Sequence, residues 1–85
     1  MELKLYNQLP SLDLHGETKE ISIILVREFI EDNYQLKNTK IKVIHGIGKS
    51  ILKNAVHQEL KQNKFVKDYK LNNFNPGETI IELKL

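Results

Sequence analysis

The chain has 85 residues, 40% of them apolar and 28% charged, which suits a single globular domain with one modest core. It contains no cysteine, so disulfide scaffolds, thiolate zinc sites and cysteine catalysis are excluded, and no apolar run approaches the roughly 20 residues that cross a bilayer. The net charge of +2 argues for a nucleic-acid partner only where the basic residues cluster along the chain.

Residues 1–10, which include Pro10, read as an N-terminal arm, and residues 11–85 as the domain. Residues 1–5 lack the long apolar stretch of a secretory leader, so a cytoplasmic location is expected. Leu12-Asp13-Leu14 reads as a short buried strand that ends at Gly16. Thr18 is placed to cap a helix, with Glu17 and Glu20 where the helix dipole favours negative charge. From there to about Gln35, Ile21, Leu25 and Phe29 form one apolar row, and Val26 and Ile30 a second beside it. Ile24 falls off that face.

Ile41-Lys42-Val43-Ile44 is rich in β-branched residues and predicts a strand. His45-Gly46-Ile47-Gly48-Lys49-Ser50 then bends the chain into a second helix, which buries Leu52, Ala55, Val56 and Leu60. Phe65 to Leu71 reads as a third strand and Thr79 to Leu85 as a fourth, with a turn expected at Pro76-Gly77. The order β-α-β-α-β-β implies an α/β sandwich of two or three layers on a four-stranded mixed sheet. Two strands pair in parallel through right-handed crossovers, and the last two form an antiparallel hairpin.

Ligands of open α/β sheets collect at the carboxyl ends of parallel strands. The first strand carries Asp13 and His15 there, and the second carries His45. Two imidazoles and a carboxylate in one shallow pocket could hold a water for general-base attack on a phosphodiester, or a divalent cation such as magnesium or manganese. The plainer alternative has Asp13 capping a turn and His45 bonding the backbone. Gly46 and Gly48 open the second helix, where exposed amides attract phosphate, although they would serve a tight turn equally well. Gly48-Lys49-Ser50 imitates the end of a nucleotide-binding loop, but Val43 stands where that motif requires glycine, so nucleotide hydrolysis is not expected.

Lys53, His57, Lys61 and Lys64 follow at helical spacing, and with Lys49 they make a basic stripe leading away from the glycine loop. Such a row is either solvated surface or a track for phosphates. It is expected on the side away from Leu52, Val56 and Leu60, with Glu59 off the row.

Three blocks of the chain resemble the Smr (small MutS-related) domain family. They are Leu12-Asp13-Leu14-His15-Gly16 with Thr18, then Val43-Ile44-His45-Gly46-Ile47-Gly48 with Leu52-Lys53 and Val56, and Gly77-Glu78-Thr79-Ile80-Ile81-Glu82-Leu83. The resemblance implies a fold similar to the C-terminal domain of bacterial translation initiation factor 3. It also implies nucleic-acid binding, often with endonuclease activity on RNA or on branched or nicked DNA, and in some members action at ribosomes. The stand-alone small members look nearest. By position, Asp13 and His15 match the family's proposed catalytic pair. His45, Gly46 and Gly48 match its loop, and Lys53 its basic helix position. Ser50 stands in place of a third loop glycine, and the glycine-rich segment before the last strand is reduced to residues 73–77.

Taken together, Asp13, His15 and His45 are the catalytic candidates. Gly46, Gly48, Lys49, Ser50, Lys53 and His57 are the candidates for contacting phosphate. The alternative is a module that binds nucleic acid or the ribosome without cutting it. A third reading, a protein-interaction domain, would use Ile24 and Phe74.

Overall fold

The computed structural model describes residues 8–48 and 50–85. Most of the expected N-terminal arm, residues 1–7, and Lys49 therefore lie outside the described residues.

The first strand, β1 (Ser11–Asp13), is short, and it leads through Gly16 into helix α1 (Lys19–Gln35). Thr18 caps that helix as expected, its hydroxyl accepting the Ile21 N–H at 3.2 Å. Strand β2 (Lys40–Ile44), helix α2 (Ile51–Gln62), strand β3 (Val66–Asn72) and strand β4 (Asn75–Leu83) complete the expected order. β2 lies parallel to β1 with Leu12 opposite Val43, and β4 runs antiparallel to both β2 and β3. The sheet order is β1-β2-β4-β3, so the last strand is inserted between its two predecessors.

Strand alternation decides the layering. Ile41 and Val43 of β2 and Thr79, Ile81 and Leu83 of β4 share one face. Both helices cover that face, with Val26 and Ile30 of α1 and Val56 and Leu60 of α2 buried in a single core with Leu14 and Val66. The sandwich therefore has two layers. Each fully buried aliphatic side chain stabilises it by about 1.5–3 kcal/mol. On the opposite face, Lys42 and Glu78 form a buried ion pair at 3.6 Å, and Asn72 donates to the same carboxylate at 3.0 Å.

Two local expectations are corrected. The buried stripe of α1 runs through Ser22, Val26, Ile30 and Asn33, so Ile21 is 44% exposed, with Leu25 and Phe29 packed on the core from the flank. Asn33 is kept inward by its own hydrogen bonds, donating to the Phe29 carbonyl and accepting from Asn38, each at 2.8 Å. The hairpin turn falls at Asn73-Phe74, and Pro76 and Gly77 lie within β4. Asparagine chemistry moves it there: Asn72 accepts the Phe74 N–H at 2.9 Å and Asn75 accepts the Gly77 N–H at 3.0 Å. Glu59 lies off the lysine row, as expected: it is buried on α2 and pairs with Arg27 of α1 at 3.0 Å, clamping the helices together.

Candidate functional site

The β1–β2 ladder continues one residue past β1, because the Leu14 N–H donates to the Ile44 carbonyl at 2.9 Å. The segments after β1 and β2 therefore leave the sheet side by side. Beyond Leu14 the chain turns sharply: the Glu17 N–H returns to the Leu14 carbonyl at 3.0 Å, and Gly16 supplies the left-handed φ of +81° that the turn needs. Asp13 Oδ1 accepts the His15 N–H at 2.9 Å and so fixes the start of this turn. His15 itself is exposed.

The second segment is tied to β4. The N–H groups of His45 and Gly46 both donate to the Gly77 carbonyl, at 2.9 and 3.0 Å. Gly46 turns the chain away with φ +84°. Gly77 allows the close approach, since a Cβ there would lie 3.2 Å from Ile47 and 3.3 Å from the Gly46 backbone. Ile47 and Gly48 are exposed, and Ser50 enters α2 with φ 65° and gives the helix no side-chain cap.

Both ring nitrogens of His45 are engaged. Nδ1 lies 3.0 Å from the Gly46 carbonyl, and Nε2 lies 2.8 Å from the hydroxyl of the fully buried Thr79. His57 Nε2 meets the same hydroxyl at 2.7 Å, and its ring sits edge-on to Tyr69 with centroids 5.0 Å apart. His57 therefore departs from the expected solvent-facing row, turning inward because Thr79 offers it a buried partner. Burial is the main reason both rings hold a proton less readily than an ordinary histidine. Lys53 lowers both further; His45 lowers His57, while the Gly46 carbonyl and Glu78 work in the opposite direction on His45.

The candidate residues thus divide into two groups. Asp13 and His15 are joined through a backbone bond, with Asp13 in register with Ile44 on the face away from the helices. His45 continues the Ile41–Val43 row on the helix face, where it joins His57 through Thr79. Lys53 stands half-buried beside the two rings, while Lys61 and Lys64 are exposed, the latter with its ammonium 5.2 Å from the Phe65 ring centre. Among the described residues, no three histidine, aspartate or glutamate side chains converge as ligands for a metal ion. For a divalent cation the described residues offer no ready-made cage, only the second oxygen of Asp13 and the exposed His15 ring. His15 is the exposed imidazole at this end of the sheet, and the Gly46–Gly48 loop with Lys53 provides exposed backbone and positive charge for an anionic ligand.

Sequence reasoning missed Thr79 and Tyr69. Thr79 could have been noticed as the polar member of the inward row Thr79, Ile81, Leu83; nothing in the spacing of Tyr69 distinguishes it.

Among the described residues, no helix is long and apolar enough to cross a membrane. A family model described as the Smr domain matches residues 12–84. The chain is 36% identical over 85 residues to an endonuclease MutS2 of Clostridium acetobutylicum, covering 96% of this chain and 11% of that protein. It is also 36% identical over 76 residues to an endonuclease MutS2 of Geobacillus kaustophilus, covering 86% of this chain and 10% of that one. The chain thus spans about a tenth of the length of the curated relatives it matches. In fold it is similar to the crystal structure of the Smr domain of Thermus thermophilus MutS2, with TM-score 0.88 and 22% identity over 91% of this chain and 100% of that one. It is similar also to YdaL, a stand-alone small MutS-related protein from Escherichia coli, with TM-score 0.86 and 22% identity over 92% of this chain and 66% of that one.

Proposed function

The chain belongs to the Smr domain family, and from that premise we propose that it binds nucleic acid at the sheet end where the segments after β1 and β2 emerge together. The observation that carries this reading is the joint latch of the glycine loop. Two consecutive N–H groups on the Gly77 carbonyl hold Gly46 to Gly48 outward, beside Lys53 and the uncapped start of α2. With the Gly46 N–H spent on that latch, the exposed backbone of Ile47 and Gly48 and a neighbouring lysine suit a phosphate. Lys49 would add to this charge by its place in the sequence.

Endonuclease activity on RNA or on branched or nicked DNA is the catalytic form of the proposal. In it the exposed His15 takes the proton from the attacking hydroxyl or water, and Asp13 positions His15 through the turn. His45, with both nitrogens engaged, supports the loop. The engagement of both His45 nitrogens, which removes one of the two candidate bases, favours a second reading, a recognition module for nucleic acid or the ribosome that does not cut. Either form fits a cytoplasmic protein whose residues 11–85 act as one domain behind an N-terminal arm.

The test is incubation with labelled single-stranded RNA and with branched and supercoiled DNA, in magnesium, manganese or EDTA, beside Asp13→Ala and His15→Ala. Cleavage that both substitutions remove supports the nuclease. Salt-sensitive binding without cleavage leaves the recognition module, and no binding at all overturns both.

A further inference from the structure

Two histidines on one buried hydroxyl form an unusual arrangement, because the hydroxyl has one proton to donate. The Gly46 carbonyl can only accept, so His45 Nδ1 carries a hydrogen. Neutral His45 then has its lone pair on Nε2, which accepts the Thr79 O–H. Thr79 Oγ in turn accepts the Nε2–H of His57. This leaves Nδ1 of the half-buried His57 unprotonated, on a ring that lines a groove together with Asn54, Gln58, Lys61 and Tyr69.

We propose that Thr79 couples His45 and His57 into a one-proton unit, which carries a proton from the α2–β3 groove to the ring beneath the glycine loop and so strengthens phosphate binding there. A proton enters at His57 Nδ1. The Nε2 proton of His57 passes to Thr79 Oγ, and the original hydroxyl proton passes to His45 Nε2. His45 is then an imidazolium donating to both Thr79 and Gly46, while His57 is neutral and accepts from the reversed hydroxyl. No bond other than those to hydrogen changes, and both contacts to Thr79 survive in either state.

The surroundings favour a single proton in the pair. The rings lie 6.0 Å apart, edge to face, so a second positive charge is opposed by the first. Lys53 of α2 faces both rings and opposes charging, Lys61 lines the groove, and Tyr69 of β3 closes the outer side. Glu78 of β4, held by Lys42 and Asn72 on the other face of the sheet, attracts the proton towards His45. His57 and Thr79 are thus positioning residues acting through His45.

The link to phosphate rests on the nucleic-acid reading, whereas the coupling does not, so two measurements separate them. In the first, ring nitrogen and carbon shifts of the isotope-labelled chain are followed by NMR from about pH 8 to about pH 5, the range in which histidines titrate. The Nδ1–H form of His45 and the Nε2–H form of His57 are expected at the upper end, followed by one shared midpoint in both rings. Thr79→Val should split that midpoint in two and Thr79→Ser should restore it, with amide dispersion confirming the fold. Should Thr79→Val fail to fold, His57→Phe should shift the His45 midpoint. Independent midpoints in the unmodified chain overturn the coupling. In the second measurement, a fluorescent single-stranded RNA oligonucleotide is bound above and below the shared midpoint. Affinity should rise roughly threefold to tenfold on protonation, as one added charge near a phosphate implies. This rise should be smaller in Thr79→Val than in Thr79→Ser. Equal rises in the two variants overturn the link to phosphate, and no binding at any pH overturns the nucleic-acid reading while leaving the coupling to the first measurement.

Discussion

Asp13 Oδ1 lies 2.9 Å from the backbone nitrogen of His15, so the carboxylate is already serving the turn that presents the imidazole. Asparagine keeps an oxygen at that position and loses the charge. Asp13→Asn should therefore hold stability near that of the unmodified chain, while Asp13→Ala costs about 0.5–1 kcal/mol for the lost bond. If the carboxylate also works in cleavage, both variants lose activity alike. If it only builds the turn, Asp13→Asn cuts normally; a urea titration paired with a cleavage assay reads both.

Arg27 and Glu59 clamp α1 to α2 from very different environments, the arginine side chain 57% exposed and the glutamate 6%. Asn63 donates to the other Glu59 oxygen at 3.2 Å. Arg27→Met strands a buried carboxylate, and Glu59→Leu removes the burden along with the bond. Thermal unfolding should show the double variant more stable than Arg27→Met alone. Additive losses would show that the pair is not coupled.

A side chain at Gly77 should crowd the glycine loop. A Cβ there meets Asn75 Oδ1 and Ile47 at 3.2 Å and the Gly46 backbone at 3.3 Å. Gly77→Ala is expected to cost about 1–3 kcal/mol through crowding and to weaken oligonucleotide binding by moving the loop. Gly46→Ala meets nothing within 4 Å, and its penalty, about 1–2 kcal/mol, comes from its positive φ alone. Binding by Gly77→Ala equal to that of the unmodified chain would dissociate the loop from the interface.

Stability should fall as the pH drops below about 6.5, the ordinary histidine value. Above it, both rings are neutral in the folded and unfolded chains alike. Below it, the unfolded chain binds protons that buried His45 and His57 take up less readily, which favours unfolding until the lowered folded-state values are passed. Urea midpoints measured between about pH 7 and about pH 5, above the ordinary carboxylate range, should decline, and His57→Phe should make the decline shallower. A constant or rising midpoint would contradict the assignment.

Oligonucleotide affinity should decrease with salt, and Lys53→Ala should reduce the slope of log affinity against log salt by about 1 if Lys53 meets one phosphate. An unchanged slope would confine Lys53 to its effect on the neighbouring histidines.

The order of elements, the Thr18 cap and the core of α2 could be read from the sequence because each follows a local period or a local bond. The α1 stripe follows the expected Val26–Ile30 row, but it is extended by the polar Ser22 and Asn33, which no periodicity of apolar residues contains; Asn33 is held inward by its own hydrogen bonds. The candidate residues were legible in type and position, and their partners were not. His57 looks like a member of a lysine row until β4 brings Thr79 beneath it from 22 residues away. Pro76-Gly77 is the stronger turn signal taken alone, but the side chains of Asn72 and Asn75 draw the hairpin turn forward.

The strand order also constrains when this surface can come into being. β4 fills the gap between β2 and β3, and it supplies both the Gly77 carbonyl and the Thr79 hydroxyl. During synthesis β2 and β3 emerge first and have no partner across that gap, so the sheet closes only after residues 75–83 leave the ribosome. The glycine loop acquires its shape in that same late step, and a chain interrupted before β4 would carry every candidate residue of the first two blocks without the latch that arranges them.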